Sequence, residues 1–243
     1  MLVLVIPDSH LKPDIFRKAE KIMDAGKMDK AVCLMDIPDE WNEQKADYPL
    51  MYEAVFRFIE KYPDSVFLWG NHDYSYSFGR RTAAYMSDVR DYVQAQNYQM
   101  HKQLHAGLSV AVRIDNVVFS HAGFSKEFVR QWFPPDERDV DNVIDKTNHM
   151  LSFQLWDSSS PLLARIQPWR EHTPYVWQGI RQCIAHTPVH KAFEANGVIN
   201  TDTFSSNMDM TPYGCRRFVV VDTVSGKWRY ADEAGKYNAE RRQ

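Results

Sequence analysis

Short aliphatic runs alternate with longer amphipathic stretches along the first third of the chain. Leu2-Val3-Leu4-Val5-Ile6 is continuously apolar, which predicts a strand buried on both faces. Pro13 to Ala25 predicts a helix, with Pro13 in its first turn and Gly26 as its stop. Ala31 to Leu34 is a second buried strand. Asp47 then caps a predicted helix through Tyr62, with Pro49 in the first turn and Leu50, Ala54 and Phe58 facing the core. Ser65 to Trp69 predicts a third strand. Strand, helix, strand, helix, strand implies an α/β unit with parallel pairing.

The pattern is less regular afterwards. A helix is expected from Gly79 to about Gln96. Leu108 to Ile114 and Val117 to Ser120 flank Asp115-Asn116 and predict a β-hairpin. Helices are expected near Lys126–Trp132 and Val140–Leu151, separated by Pro134-Pro135. Asp157-Ser158-Ser159-Ser160-Pro161 opens an irregular stretch that runs to about Pro174. Gln182 to Ala185 predicts a strand and Val189 to Ala195 a short helix. Val198-Ile199, Phe218 to Val221 and Lys227 to Tyr230 are late strands, the last two joined around Ser225-Gly226. No internal repeat or low-complexity linker interrupts the chain, so residues 1–231 are expected to form one domain and 232–243 a polar C-terminal tail.

Composition narrows the class. The chain has 243 residues, 44% hydrophobic and 25% charged, which suits one large globular domain better than two small ones. The formal net charge is -3 and there is no block of five basic residues, so a phosphate-tracking stripe is absent and nucleic acid is not an expected partner. Cys33, Cys183 and Cys215 are odd in number, far apart and outside any Cys-x-x-Cys pair. That argues against a disulfide framework or a structural zinc site, and for a reducing, cytoplasmic compartment. Leu2 to Ile6 is too short for a signal core, and no apolar stretch approaches the ~20 residues of a membrane helix.

Polar clusters sit within a few residues of the apolar runs: Asp8-Ser9-His10, Asp36 with Asp39, Gly70-Asn71-His72-Asp73, His121-Ala122-Gly123, His186-Thr187-Pro188 and, more weakly, Asn200-Thr201-Asp202. Residues i and i+2 share a face of a strand, and past its C-terminal end both can point into the crevice where α/β sheets place ligands. A carboxylate and an imidazole so placed, Asp8 and His10, can chelate one metal. Asp36 has two oxygens and can bridge two ions; Asn71 offers a neutral oxygen, and His121 and His186 offer imidazoles. Singly, each cluster has a plainer reading as a turn, a cap or a hydrogen-bonded histidine. Five ligand-type strand ends in order favour a metal site.

These motifs resemble the calcineurin-like metallophosphoesterases, whose pattern runs Asp-x-His, Gly-Asp-x-x-Asp, Gly-Asn-His-Asp/Glu, a lone His, and Gly-His. The matching segments are Asp8-Ser9-His10, Met35-Asp36-Ile37-Pro38-Asp39, Gly70-Asn71-His72-Asp73, His121-Ala122-Gly123 and Ala185-His186-Thr187-Pro188-Val189. The resemblance implies an α/β fold of two mixed β-sheets packed as a sandwich and flanked by helices. It implies two divalent metal ions, manganese or iron first and zinc as a third candidate. Asp8, His10 and Asp36 would hold one; Asp36, Asn71, His121 and His186 the other. His72 would face the leaving group, with Asp39 orienting it. Two cations can share a hydroxide and clamp phosphoryl oxygens during in-line attack.

Many phosphodiesterases of this family end in His-x-His, whereas Pro188 stands at the second position here. His-Thr-Pro-Val and His-Ala-Gly resemble instead the phosphoprotein phosphatase branch, which includes symmetrical diadenosine tetraphosphate hydrolases. The expected substrate is therefore a phosphomonoester, borne on a protein or a small molecule, with a dinucleoside polyphosphate as the alternative. A non-catalytic binding scaffold on the same fold would be marked by loss of His72 or of several ligands, and none is lost. Met35 and Ala185 replace the family's glycines, and both are compatible with extended backbone. Glu40-Trp41 stands where the branch has an arginine, which removes a phosphate-gripping cation and adds an anion. Ser160-Pro161-Leu162-Leu163-Ala164-Arg165 resembles a Ser-Pro-Leu-x-x-Arg segment of bacterial members, so Arg165 is the expected substrate contact, ahead of Arg80, Arg81 and Arg170. Trp41, Tyr74, Tyr76, Phe124 and Trp169 can line a pocket, although core or lid packing is expected for most of them.

Overall fold

The aliphatic runs become the strands of two mixed sheets in the computed structural model, which describes residues 1–231; the tail expected over 232–243 lies outside them. One sheet contains β1 (Leu2–Ile6), β2 (Lys30–Cys33), β3 (Val66–Leu68) and β4 (Leu108–Ser109), all parallel. β1 also pairs antiparallel with β10 (Val219–Asp222), and β10 with β11 (Trp228–Tyr230), giving the order β11-β10-β1-β2-β3-β4. The second sheet has the order β5-β6-β7-β9-β8, built from β5 (Ala111–Ile114), β6 (Val117–Ser120), β7 (Arg181–Ile184), β8 (Phe193–Ala195) and β9 (Val198–Asn200).

The two faces of β1 explain its unbroken apolarity. Val3 and Val5 pack with Val32, Leu68 and Val221 against Val117, Phe119, Cys183 and Ile199 of the second sheet. Leu4 and Ile6 point the other way, onto α1 (Pro13–Asp24), α2 (Asp47–Lys61) and α4 (Arg90–Gln103), through Phe16, Tyr52, Phe58 and Met100. At roughly 1.5–3 kcal/mol per buried aliphatic side chain, a polar residue on either face would be costly. The outer face of the second sheet is covered by α5 (Lys126–Trp132) and α6 (Val140–Asn148), through Val118, Phe128, Val129 and Val143. The expected sandwich of two mixed sheets with helices outside is the observed architecture.

Several boundaries differ from expectation. The helix predicted from Gly79 begins only at Arg90, as α4; Gly79 instead ends an earlier helix, α3 (Asn71–Phe78), its φ of 86° supplying the left-handed stop. The run Leu108 to Ile114 breaks at Val110 and changes sheets. Asn148 Oδ1 accepts from Val110 N at 2.8 Å and Ala111 N at 3.0 Å, satisfying the backbone at the crossing. Val189 to Ala195 does not form a helix. Its end is β8, joined to β9 by Asn196 and Gly197 at φ 52° and 76°, the consecutive left-handed pair of a tight hairpin. Asp47 lies inside its helix rather than capping it, and its carboxylate accepts from Gln44 N at 2.8 Å. The helix expected to reach Leu151 stops at Asn148, and a short α7 (Ser152–Leu155) follows. Among the described residues no helix is long and apolar enough to cross a membrane.

Candidate active site

The C-terminal ends of β1, β2, β3, β6 and β7 deliver the polar clusters to one edge of the sandwich. The loops there are bent sharply: His10, Met35, Asp36, Asp39 and His186 have φ of 39°, 60°, 44°, 66° and 63°. Left-handed backbone at non-glycine residues costs of order 1 kcal/mol or more and persists only when surroundings fix it. They do. Ser9 N and His10 N donate to the Asp36 carbonyl at 3.2 and 2.8 Å, and Ile37 N donates to the Asp73 carboxylate at 3.3 Å. Met35 is therefore not extended as expected; it holds a left-handed turn while its side chain is buried in the core. Ala185 carries no such strain. Gly70 is required by close approach: a Cβ there would lie 2.2 Å from Asp36 Oδ1 and 2.4 Å from Asp36 N.

Two sets of ligand-type atoms converge. Atoms of Asp8, His10 and Asp36 lie within 4.8 Å of one another, as do those of Asp36, His121 and His186. His121 Nδ1 is 2.8 Å from the Leu34 carbonyl, which can only accept, so the neutral ring presents a lone pair at Nε2. Around that Nε2 stand Asn71 Oδ1 at 2.9 Å, His186 Nδ1 at 3.0 Å and Asp36 Oδ2 at 3.3 Å. Lone pairs aimed at one another repel unless a proton or a cation lies among them. The nitrogen and oxygen donor set suits a divalent transition metal, so these residues fit such an ion.

The acid–base properties reflect the same crowding. Burial pulls His121 down, but the charges of Asp36 and Asp8 outweigh it and hold the ring at about 9. Burial raises Asp8 well above the usual carboxylate range, aided by Asp202 and Asp36. His10 is lowered to about 4 and His186 well below 6.5, in both cases chiefly by burial. Asp202, from the weakest of the clusters, is buried beside Asp8 and raised to about 6 by burial against two bonds from Ser205 Oγ.

His72 Nδ1 donates to Asp39 Oδ2 at 2.8 Å, which leaves Nε2 for a ligand. The backbone N of His72 donates to Asp36 Oδ1 at 2.9 Å, tying the dyad to the ligand set. Burial lowers the ring, yet the Asp36 charge and the Asp39 hydrogen bond raise it to about 9. The other Asp39 oxygen, Oδ1, accepts from Tyr48 Oη at 2.9 Å and Tyr76 Oη at 2.5 Å. Neither tyrosine emerges from the sequence reading as a contact of Asp39. Tyr76 follows His72 by one helical turn, a spacing that signals a shared face; Tyr48 carries no such signal.

A cleft of about 500 Å³ opens over His10, Asp36, Asn71, His72 and His186. Arg165 lines it, its Nη1 donating to Thr187 Oγ1 at 2.9 Å, and so does the exposed Arg81. Arg80 lies instead over the Trp156 ring at 6.0 Å, and Arg170 is exposed outside the cleft. Glu40 is ion-paired with Lys12, both largely shielded from solvent, so the anion expected to repel substrate phosphate is offset within the protein. Of the aromatics considered, Tyr74 and Phe124 pack in the core and Trp169 packs on Phe193. The cleft-lining aromatic is Trp156, which lies outside every motif of the sequence.

The family model for calcineurin-like phosphoesterases matches residues 1–198. The chain belongs to the calcineurin-like phosphoesterase family. Members use divalent metals to hydrolyse phosphoric esters, so the chain is a metal-dependent hydrolase acting on phosphorylated substrates. Among solved structures, a cold-active protein-tyrosine phosphatase of a psychrophile Shewanella sp. is similar, with a TM-score of 0.58 and 14% identity. That similarity covers 95% of this chain and 80% of that one. Another structure of a cold-active protein tyrosine phosphatase is similar with a TM-score of 0.59 and 15% identity, over 94% of this chain and 78% of that one. At such identity the likeness concerns the fold. No curated protein matches the sequence.

Proposed function

We propose that this calcineurin-like phosphoesterase is a dinuclear phosphomonoesterase acting on a phosphoprotein or a small phosphorylated molecule. Asp8, His10 and Asp36 hold one cation; Asp36, Asn71, His121 and His186 hold the second. Manganese or iron is the favoured occupant and zinc the third candidate; a mixed oxygen and imidazole donor set accepts all three. Two such ions supply Lewis acidity and lower the pKa of water from about 15.7 towards ~7. The observation that carries the reading is the His72–Asp39 pair at 2.8 Å, fixed to the same Asp36 that both ligand sets share. His72 gives its Nε2 proton to the departing ester oxygen, Asp39 holds the ring, and Arg165 and Arg81 balance phosphate charge across the cleft.

Two observations favour a monoester over a diester. Pro188 occupies the place of a second imidazole, and the next histidine, His190, stacks on Tyr213 with ring centroids 4.4 Å apart. Two cleft arginines suit a dianionic group. Trp156 in the cleft wall favours dinucleoside polyphosphate as the second reading, since a base can stack on it. The unpaired thiols of Cys33, Cys183 and Cys215 fit a cytoplasmic protein.

The test is a substrate panel with manganese-loaded protein: 4-nitrophenyl phosphate, its bis(4-nitrophenyl) diester, a phosphopeptide and diadenosine tetraphosphate. The monoester and phosphopeptide are expected to turn over fastest. Turnover of the diester alone would overturn the reading, tetraphosphate preference would install the second one, and no turnover at all would make the chain a binding scaffold.

A further inference from the structure

Asp39 is tied more tightly than a simple orienting acid requires. Its Oδ2 accepts from His72 Nδ1, its Oδ1 accepts from two phenols, and its carbonyl lies 2.8 Å from His10 Nδ1. Both phenols are fully buried, and they arrive from different elements: Tyr48 from the first turn of α2, Tyr76 from α3 four residues after His72. A phenylalanine at either position would fill the core without burying a hydroxyl, and a buried hydroxyl costs free energy unless bonded. Bonds to an ionised acceptor are shorter and roughly twice as strong as neutral ones.

The direction of each bond is determined. The Tyr76 oxygen accepts from Met86 N at 2.9 Å, so its single proton is committed to Asp39. Met86 closes the loop after Gly79 that carries Arg81, Thr82 and Ala83 into the cleft wall. Thr82 Oγ1 also lies 3.3 Å from His72 Nδ1. The wall of the cleft and the proton donor are thus joined through one phenol.

We infer that Tyr48 and Tyr76 are positioning residues for His72, clamping one oxygen of Asp39 so that the other holds the ring with Nε2 directed to the leaving group. The inference rests on the proposed role of His72 as the proton donor. When the ester P–O bond breaks, its electron pair stays on the leaving oxygen; that oxygen takes the Nε2 proton, and the ring is left neutral with its Nδ1 proton still on Nδ1 and hydrogen-bonded to Asp39. The clamp matters most where the leaving oxygen is basic and needs that proton.

Tyr48→Phe, Tyr76→Phe and the double variant test this, with phenyl phosphate (poor leaving group) and 4-nitrophenyl phosphate (good leaving group) as substrates. Each variant is expected to lose about tenfold in kcat on phenyl phosphate, a part of the roughly 10²–10⁴ that a positioned acid supplies. Loss on 4-nitrophenyl phosphate should be much smaller, with KM and metal content unchanged. In an Asp39→Asn background the tyrosine changes should add nothing. Equal loss on both esters, or full additivity with Asp39→Asn, would overturn the inference. A second readout needs no turnover: the His72 Nδ1–H resonance in zinc-loaded protein should move in both variants. If wild type hydrolyses neither ester, the proposed function fails, and that resonance alone decides: a shift supports the clamp, and no shift removes it.

Discussion

Asp8 and Asp36 are neighbouring buried carboxylates whose proton affinities move in opposite directions. Burial, Asp202 and Asp36 raise Asp8, whereas at Asp36 the charges of His121, His72 and His10 outweigh burial and lower it. Cations held there would relieve both, because they would bring positive charge to buried carboxylates that repel one another. Asp36→Ala, which removes the carboxylate common to both sets, should therefore lose metal by elemental analysis. His72→Ala should keep its metal and lose roughly 10²–10⁴ in kcat; metal loss in that variant would show His72 to be a ligand. Glu43 gives a separate pH test. Burial raises it to about 7, so the folded protein binds its proton more tightly than the unfolded chain does. That contribution to stability is complete below pH 4.5 and is lost as pH rises through 7. Glu43→Gln should be more stable than wild type at pH 8 by about 1 kcal/mol, allowing for solvent screening of a half-buried group, and no more stable at pH 4; denaturant titrations at both values check this.

The strands and helices place these residues, and two backbone positions control the placement. Gly70 precedes α3 with ordinary extended backbone, so only space demands glycine. Gly70→Ala should displace Asp36, weaken metal binding by at least tenfold in a zinc competition titration, and leave the far-UV spectrum unchanged. Asn148 serves the point where the chain leaves one sheet for the other. Asn148→Ala should cost about 2 kcal/mol, since two buried N–H groups of Val110 and Ala111 lose their acceptor. These elements also show what local sequence reveals. β1, β2 and α1 were legible because their periodicity is internal to each segment. The Asn196-Gly197 turn carries its own signal, yet the apolar spacing of Val189 to Ala195 mimics that of a helix. The crossing at Val110 had none, because an extended run looks the same whichever sheet it joins.

At the scale of the molecule, two mixed sheets press their aliphatic faces together and leave five strand ends at one edge. Burying the anions of that edge is unfavourable without counter-charge, so folding and metal binding should be coupled. Manganese at 100 times its Kd should stabilise the fold by about 2.7 kcal/mol, and chelation should lower Tm correspondingly. The gain should shrink as pH falls from 7.5 to 5, because protons compete for the same ligands; a Tm independent of metal at both pH values would count against a preformed dinuclear site. The sequence by itself pointed to the ligand-type residues now gathered at the strand ends, through their residue types, and to the His72–Asp39 pair, through the family resemblance of their motifs. It also determined the sheet-forming runs, whose burial is written in their composition. Only the tertiary structure decided that Tyr48 and Tyr76 meet on Asp39, that Lys12 offsets Glu40, that Met35 turns left-handed and that Trp156 and Arg81 line the cleft. Those are contacts between segments far apart in the chain or conformations imposed by neighbours, and no local pattern encodes them.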